Sequence, residues 1–205
     1  MTAGFRGFTI IALRAFRPAW PLAAIAAIAL LLGALGDWSD VALRYERAAV
    51  LDGEIWRLAS GHLVHLSASH LWLNLGGMAL VVLLFGRAVP AGQWWLAALF
   101  SLLVTSAGFL ILEPQLQWYV GLSGMLHGLI LAGAYLDVTF PCRERNILVV
   151  IVIAKLLWEQ AYGALPFTAE AAGGPVVVDA HLYGAIGGIA AVVAIRARDR
   201  RRTQV

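Results

Sequence analysis

Charge is scarce in this chain. Asp, Glu, Lys and Arg make up 13% of its 205 residues, about half the share of an ordinary soluble domain. So little charge argues against a fold that is wetted on every side. Cysteine is scarcer still: Cys142 stands alone, so no internal disulfide can form. In Pro141-Cys142-Arg143-Glu144-Arg145 it reads as an incidental thiol on the reducing side of the membrane. No basic stripe with interleaved aromatics occurs, so the formal charge of +3 is no footprint for nucleic acid. No internal repeat and no low-complexity linker breaks the chain. His-Glu-x-x-His is missing too. His62-x-x-His65 with His70 has some flavour of a metal site, but no second acidic cluster lies in a span. No metal and no cofactor is expected.

What the chain has is apolar length. Hydrophobic residues make up 61%, and the mean hydropathy is +0.80. A helix needs about 20 apolar residues to cross a bilayer. Six segments fit or nearly fit, near 19–36, 70–86, 93–112, 121–136, 146–163 and 178–196. The fold class expected is an all-α membrane protein, a six-helix transmembrane bundle of one domain. The fourth segment is short and glycine-rich, which places it inside the bundle rather than against lipid. The first begins like a signal peptide, after Arg6, Arg14 and Arg17, but Leu30-Leu31-Leu32-Gly33 runs on to Gly36-Asp37 without a small-x-small cleavage site. It reads as a retained helix.

Basic residues set orientation. Arg6, Arg14 and Arg17, then Arg87, Arg143 and Arg145, then Arg196, Arg198, Arg200, Arg201 and Arg202 fall on one side if there are six spans. Both termini are therefore expected in the cytoplasm. On this reading 1–18 is a cytoplasmic N-terminal segment, 19–196 the membrane domain and 197–205 a basic cytoplasmic tail. The long outer loop 37–69 mixes charge with Trp38, Tyr45, Ile55, Trp56 and Leu58, the composition of amphipathic structure lying at the interface. The loop 163–178, with Gly163, Pro166, Gly173, Gly174 and Pro175, suits either a gate or a plain connector.

Three polar clusters open three different spans on the same side. His70 and Asn74 open the second, Ser123 the fourth after Trp118 and Tyr119, and His181 the sixth after Asp179. Ionisable and polar groups are costly in hydrocarbon, so a shared depth argues for a common site. Ser123 would be the nucleophile once a base takes its proton, and His181 is that base. Gly124 and Gly128 on one helix, with Gly184 and Gly188 on the other, are small-xxx-small faces that let two helices approach. A tetrahedral intermediate needs donors. His70 and Asn74 share a helix face and, with the Ser123 backbone N–H, could supply them; interhelical polar glue is the plainer alternative. No acidic residue is visibly placed to orient His181, since Asp179 points to another face. The expectation is a Ser–His dyad that cuts peptide bonds inside a membrane.

Together these residues resemble the rhomboid family of intramembrane serine proteases. The matching pieces are Trp56-Arg57, His65, His70-x-x-x-Asn74, Gly121-x-Ser123-Gly124 and Ala180-His181-x-x-Gly184-x-x-x-Gly188. The resemblance implies a rhomboid-like six-helix bundle around a water-filled cavity open to the outside. It makes Ser123 and His181 catalytic and gives the oxyanion to His70, Asn74 and the Ser123 backbone. His127, one turn beyond Ser123, stands where an aromatic often supports the histidine, and could stack or donate a hydrogen bond. The Gly-Leu-Ser-Gly-Met-Leu-His-Gly string, with Lys155-Leu-Leu-Trp-Glu159-Gln160, is similar to the rhombosortase branch. That branch implies a substrate with a C-terminal Gly-Gly motif, an apolar helix and a basic tail, with transfer to a surface anchor. Lys155 and Glu159 are an i,i+4 pair: either a mutual salt bridge, or a glutamate that reads substrate N–H groups or an incoming amine. The partners expected are a membrane-anchored substrate protein, the lipid bilayer and, for a transferase, an amine acceptor. The location expected is a bacterial inner membrane with the site on the periplasmic or outer side. A non-catalytic rhomboid-like protein that binds membrane helices is the competing class.

Overall fold

The structure, a computed structural model, describes residues 17–202 and 204. Arg6, Arg14 and most of the segment 1–18 lie outside the described residues. The chain runs through α1 (Trp20–Ala34), α2 (Asp37–Leu43), β1 (Tyr45–Glu46), α3 (Arg47–Leu51) and α4 (Arg57–Ser60). It continues with α5 (Ala68–Phe85), α6 (Ala91–Leu112), β2 (Trp118–Tyr119), α7 (Ser123–Leu136), α8 (Cys142–Tyr162), α9 (Thr168–Ala172) and α10 (Asp179–Arg202).

Local chemistry explains most of the boundaries. Ser67 caps α5 by accepting the His70 backbone N–H at 3.1 Å, which satisfies one of the free donors of the first turn. Pro90 and Pro141 stand at the N-caps of α6 and α8; proline has no N–H to leave unpaired there. Gly163, at φ 82°, ends α8. Arg47 closes the other end of α6: its guanidinium donates to the carbonyls of Phe109 (3.0 Å) and Leu110 (3.2 Å). Asp179 opens α10, and Arg200, Arg201 and Arg202 close it, each sign suited to its end of the helix dipole. The helix thus continues through the stretch read from sequence as a tail.

Among the described residues, α5, α6 and α10 are long and apolar enough to cross a membrane. The other three expected spans differ for physical reasons. Helix α1 has 15 residues and α7 has 14. Helix α8 has 21 residues but carries Arg143, Glu144 and Arg145 in its first turn and Lys155 and Glu159 further on. Helix α7 is the central one. Nine of its 14 residues are buried, and it packs against α5, α6 and α10. A helix enclosed by others meets little lipid and can be shorter than the bilayer.

The core follows from this. Met78, Phe85, Val89, Trp94, Leu122 and Leu129 belong to it, together with the buried Leu22 and Ile25 of α1. The loop 37–69 is folded. β1 pairs antiparallel with β2, Tyr45 opposite Tyr119 and Glu46 opposite Trp118. Tyr45 is buried with Phe109, Tyr119 and Tyr183, while Trp38, Val41, Leu51, Ile55 and Trp56 are exposed. This two-sided character is what the composition of the loop implied.

Candidate active site

Backbone contact between α7 and α10 builds the site. A Cβ at Gly124 would stand 2.7 Å from the Ala180 carbonyl oxygen. One at Gly184 would collide with the Gly124 carbonyl, and one at Gly188 with the Gly128 carbonyl. No larger residue fits at these four positions without moving a helix. At this closeness the first turn of α7 faces the first turn of α10, and Ser123 Oγ lies 3.0 Å from His181 Nε2.

The turn before Ser123 is held from the loop side. Gly121 adopts φ +120°, and its missing side chain leaves room for His70, whose Cε1 would be 2.7 Å from a Cβ there. The Gly121 N–H donates to the Gly61 carbonyl at 3.0 Å, and the Tyr119 hydroxyl donates to the Gly121 carbonyl at 2.7 Å. Sheet pairing thereby fixes where α7 starts.

The His181 ring is boxed in. His127 stacks on it with centroids 4.3 Å apart and planes 21° apart. His127 Nδ1 also lies 2.7 Å from the Ser123 carbonyl oxygen, so both roles considered for this residue occur. His181 Nδ1 lies 2.9 Å from Glu159 Oε2. The expectation that no carboxylate orients His181 is therefore corrected. The carboxylate comes from α8, two connections away in sequence, where the Asp179 argument could not look. Lys155 Nζ lies 2.6 Å from Glu159 Oε1 and 3.3 Å from His181 Nδ1.

The donors gather on the far side of Ser123. Asn74 is buried and its Nδ2 has no hydrogen-bond partner among the described residues. The Ser123 N–H lies in the first turn of α7, where an amide has no intrahelical acceptor. His70, Asn74, Ser123, His127, Lys155, Glu159 and His181 line one cavity of about 300 Å³. Helix α5 stands on one side of this cavity and α8 on the other. Thr168 and Ala172 of α9 border it, and the Ser67 hydroxyl donates to the Ala172 carbonyl at 2.8 Å. The loop 163–178 is therefore tied to the start of α5, beside the opening.

Some expected residues sit elsewhere. Arg57 is buried in the folded loop, where it donates to the carbonyls of Val41 (3.1 Å) and Arg44 (2.9 Å) and pairs with Glu54. Trp56 is exposed. Neither lines the cavity. His62 turns away from it: its Nε2 lies 3.1 Å from Ser106 Oγ, which in turn donates to the Leu58 carbonyl. Burial without a second partner pushes His62 down to about 4. His65 packs edge-on against His70, and burial with that neighbour pushes it down to about 3. The metal flavour of His62, His65 and His70 thus has no convergent geometry. His127, Glu159 and His181 do bring ligand-type atoms within 4.8 Å of one another. The Lys155 ammonium already occupies that carboxylate, so a divalent cation would have to displace a like charge.

Chemically, a hydroxyl beside an imidazole, the imidazole beside a carboxylate, and free donors across a cavity make an arrangement suited to acyl transfer. No curated protein matches the chain. The family model described as the Rhomboid domain matches residues 52–198.

Proposed function

The chain belongs to the rhomboid family, and from that premise we propose that it is an intramembrane serine protease acting on a membrane-anchored protein. The observation that carries this reading is the 3.0 Å approach of Ser123 Oγ to His181 Nε2 at the wall of a cavity. The hydroxyl attacks the scissile carbonyl while His181 takes its proton at Nε2. The developing oxyanion is met by the Asn74 amide, the Ser123 N–H and His70. His181 then returns the proton to the leaving amine, and a second nucleophile releases the acyl group from Ser123. The cavity between α5 and α8 supports access of a substrate helix from the lipid side.

The topology proposed has six spans and cytoplasmic termini. Arg87, Arg143, Arg145 and the arginines of α10 lie toward one end of the bundle, which supports that orientation and a site open to the outer side of a bacterial inner membrane. The branch proposed is the rhombosortase-like one, on the strength of the Gly121–Gly128 string and the Lys155–Glu159 pair. Its substrate would carry Gly-Gly before an apolar helix.

The test uses the full chain in lipid nanodiscs with a membrane-anchored substrate bearing that Gly-Gly. Cleavage is expected, with loss on Ser123→Ala and on His181→Ala and no effect of a chelator. Cleavage retained by Ser123→Ala, or abolished by the chelator, overturns the serine mechanism. A Ser123→Ala protein that keeps its phenotype in cells marks a non-catalytic helix binder instead. Mass spectrometry of the new C-terminus decides the fate of the acyl group: a free carboxylate means hydrolysis, an added amine-bearing group means transfer.

A further inference from the structure

A buried carboxylate and an ammonium both address the same nitrogen. Glu159 is 2% exposed, and each of its oxygens has a partner: Lys155 Nζ at 2.6 Å on Oε1 and His181 Nδ1 at 2.9 Å on Oε2. Lys155, the chain's only lysine, also stands 3.3 Å from that same Nδ1. An ionised carboxylate only accepts hydrogen bonds, and an ammonium only donates them. The two neighbours therefore favour opposite forms of the ring. Glu159 wants a proton on Nδ1, and Lys155 wants a lone pair there.

The choice matters at the other nitrogen. A neutral imidazole carries one N–H. With the proton on Nδ1, Nε2 has its lone pair toward Ser123 Oγ and can receive the hydroxyl proton. With the proton on Nε2, the ring donates to Ser123 Oγ instead of accepting from it, and Ser123 is not activated. The stacked His127 ring limits the ring's escape by tilting. A charge-assisted N–H···O⁻ bond outweighs the longer contact to Lys155, and Oε1 keeps the ammonium occupied.

We propose that Glu159 is a positioning residue that holds His181 in the reactive tautomer, and that it does so against Lys155. This inference rests on the serine-protease reading and deepens it. In the step concerned, the Ser123 O–H bond breaks, an Nε2–H bond forms, and Oγ bonds to the acyl carbon whose oxygen takes up the electron pair. The imidazolium that results keeps its Nδ1–H on Glu159, whose negative charge contacts both it and the ammonium. Substrate reading by Glu159 is then not required, since both oxygens already have a partner and the residue is 2% exposed.

The competition yields an unusual mutational pattern. In Glu159→Gln the side-chain carbonyl is drawn to Lys155, which leaves the amide N–H₂ toward Nδ1 and enforces the unreactive tautomer. Removing the ammonium as well, with Lys155→Met, lets the glutamine turn its carbonyl to Nδ1. The readout is the rate of covalent labelling of the full chain in nanodiscs by a fluorophosphonate probe, which reports nucleophile activation without a substrate.

Glu159→Gln is expected to slow labelling by roughly 10⁴-fold, as a wrong tautomer does in a Ser-His-Asp site, while probe concentration dependence stays near wild type. Adding Lys155→Met to Glu159→Gln is expected to speed labelling at least tenfold over the single variant. A Glu159→Gln rate within threefold of wild type, or a double variant no faster than the single one, overturns the proposal. A wild-type chain that is not labelled, or a Ser123→Ala chain that is, overturns the serine-protease reading instead. Should Glu159→Gln fail to fold, ¹⁵N-histidine spectra of the wild-type chain decide the tautomer directly: His181 protonated on Nδ1 is expected, and protonation on Nε2 alone overturns the proposal.

Discussion

Helices α7 and α8 both border the cavity, yet they are held in different ways. Helix α7 buries nine of 14 residues and touches α10 backbone to backbone through four glycines. Of the 21 residues of α8, only Val152, Leu156 and Glu159 are buried, while Ile147, Val150, Ile151, Leu157, Trp158 and Tyr162 are exposed. The first contact is steric: carbonyls meet Cα atoms, and one extra carbon forces the helices apart. The second is thinner: Val152 and Leu156 pack on Leu131 and Ala185, and one carboxylate links α8 to a ring on α10. The contact between Ser123 and His181 therefore depends on a rigid seam, while the carboxylate beside His181 arrives on a thinly packed helix. That division suits the lateral entry proposed above for a substrate helix.

The largest break expected is in the seam. Gly184→Leu drives a side chain into the Gly124 carbonyl and should cost about 3 kcal/mol or more. Fluorophosphonate labelling should fall to background together with the thermal midpoint. Retained labelling at wild-type stability would mean that the glycine contact does not bring Ser123 to His181.

The packed half should also be the acid-sensitive one. His62 is buried neutral against Ser106 on α6, with its Nδ1 unpartnered. Its folded pKa of about 4 lies below the ordinary imidazole value of about 6.5, so protonation favours the unfolded chain. This contribution is whole above pH 6.5, falls as the pH drops toward 4, and is gone below that, about 3 kcal/mol in all. His62→Gln keeps a donor for Ser106 and does not titrate. Denaturation midpoints measured from pH 7 to pH 4 should slope less steeply in that variant, and an unchanged slope refutes the assignment.

Asn74 sharpens the contrast between holding and reacting. Its Nδ2 has no partner among the described residues, so Asn74→Ala removes little from the fold. Loss of an oxyanion donor should lower kcat by about 10²-fold with the thermal midpoint near wild type. A stability loss that matches the activity loss would make Asn74 polar glue after all.

The smallest effects separate the two faces of α8. Leu156 packs with Leu131, Val152 and Ala185, and Leu156→Ala should cost about 1–2 kcal/mol through lost packing contacts. Leu157 is exposed, and Leu157→Ala should stay within about 0.5 kcal/mol. Equal costs in chemical denaturation would show that α8 is packed all round.

Much of the site is readable in one dimension because its logic is local. A serine and a histidine in apolar segments stand out by cost, and glycines four apart mark a face that must come close. His127 follows from the same helical spacing. The contact of Glu159 with His181 has no such mark. It depends on how α8 is rotated about its own axis and how deep it sits against α10, and neither leaves a trace in the order of residues. The one hint was an ionisable pair kept inside an apolar helix, which reads equally well as a self-contained salt bridge. Arg57 shows the reverse case. Beside Trp56 it matched a family motif, yet its guanidinium holds the folded loop together.

By itself, then, the order of residues pointed to the membrane class, the helical architecture, the glycine seam and the closeness of Ser123 to His181, because periodicity and the cost of polar groups in hydrocarbon act along single helices. Only tertiary structure decided that a third helix brings a carboxylate to that pair, that β1 and β2 fix the start of α7, and that Arg57 is not at the site. Those outcomes depend on the rotation and depth of helices joined by loops, and many sequences with the same pattern could set them differently.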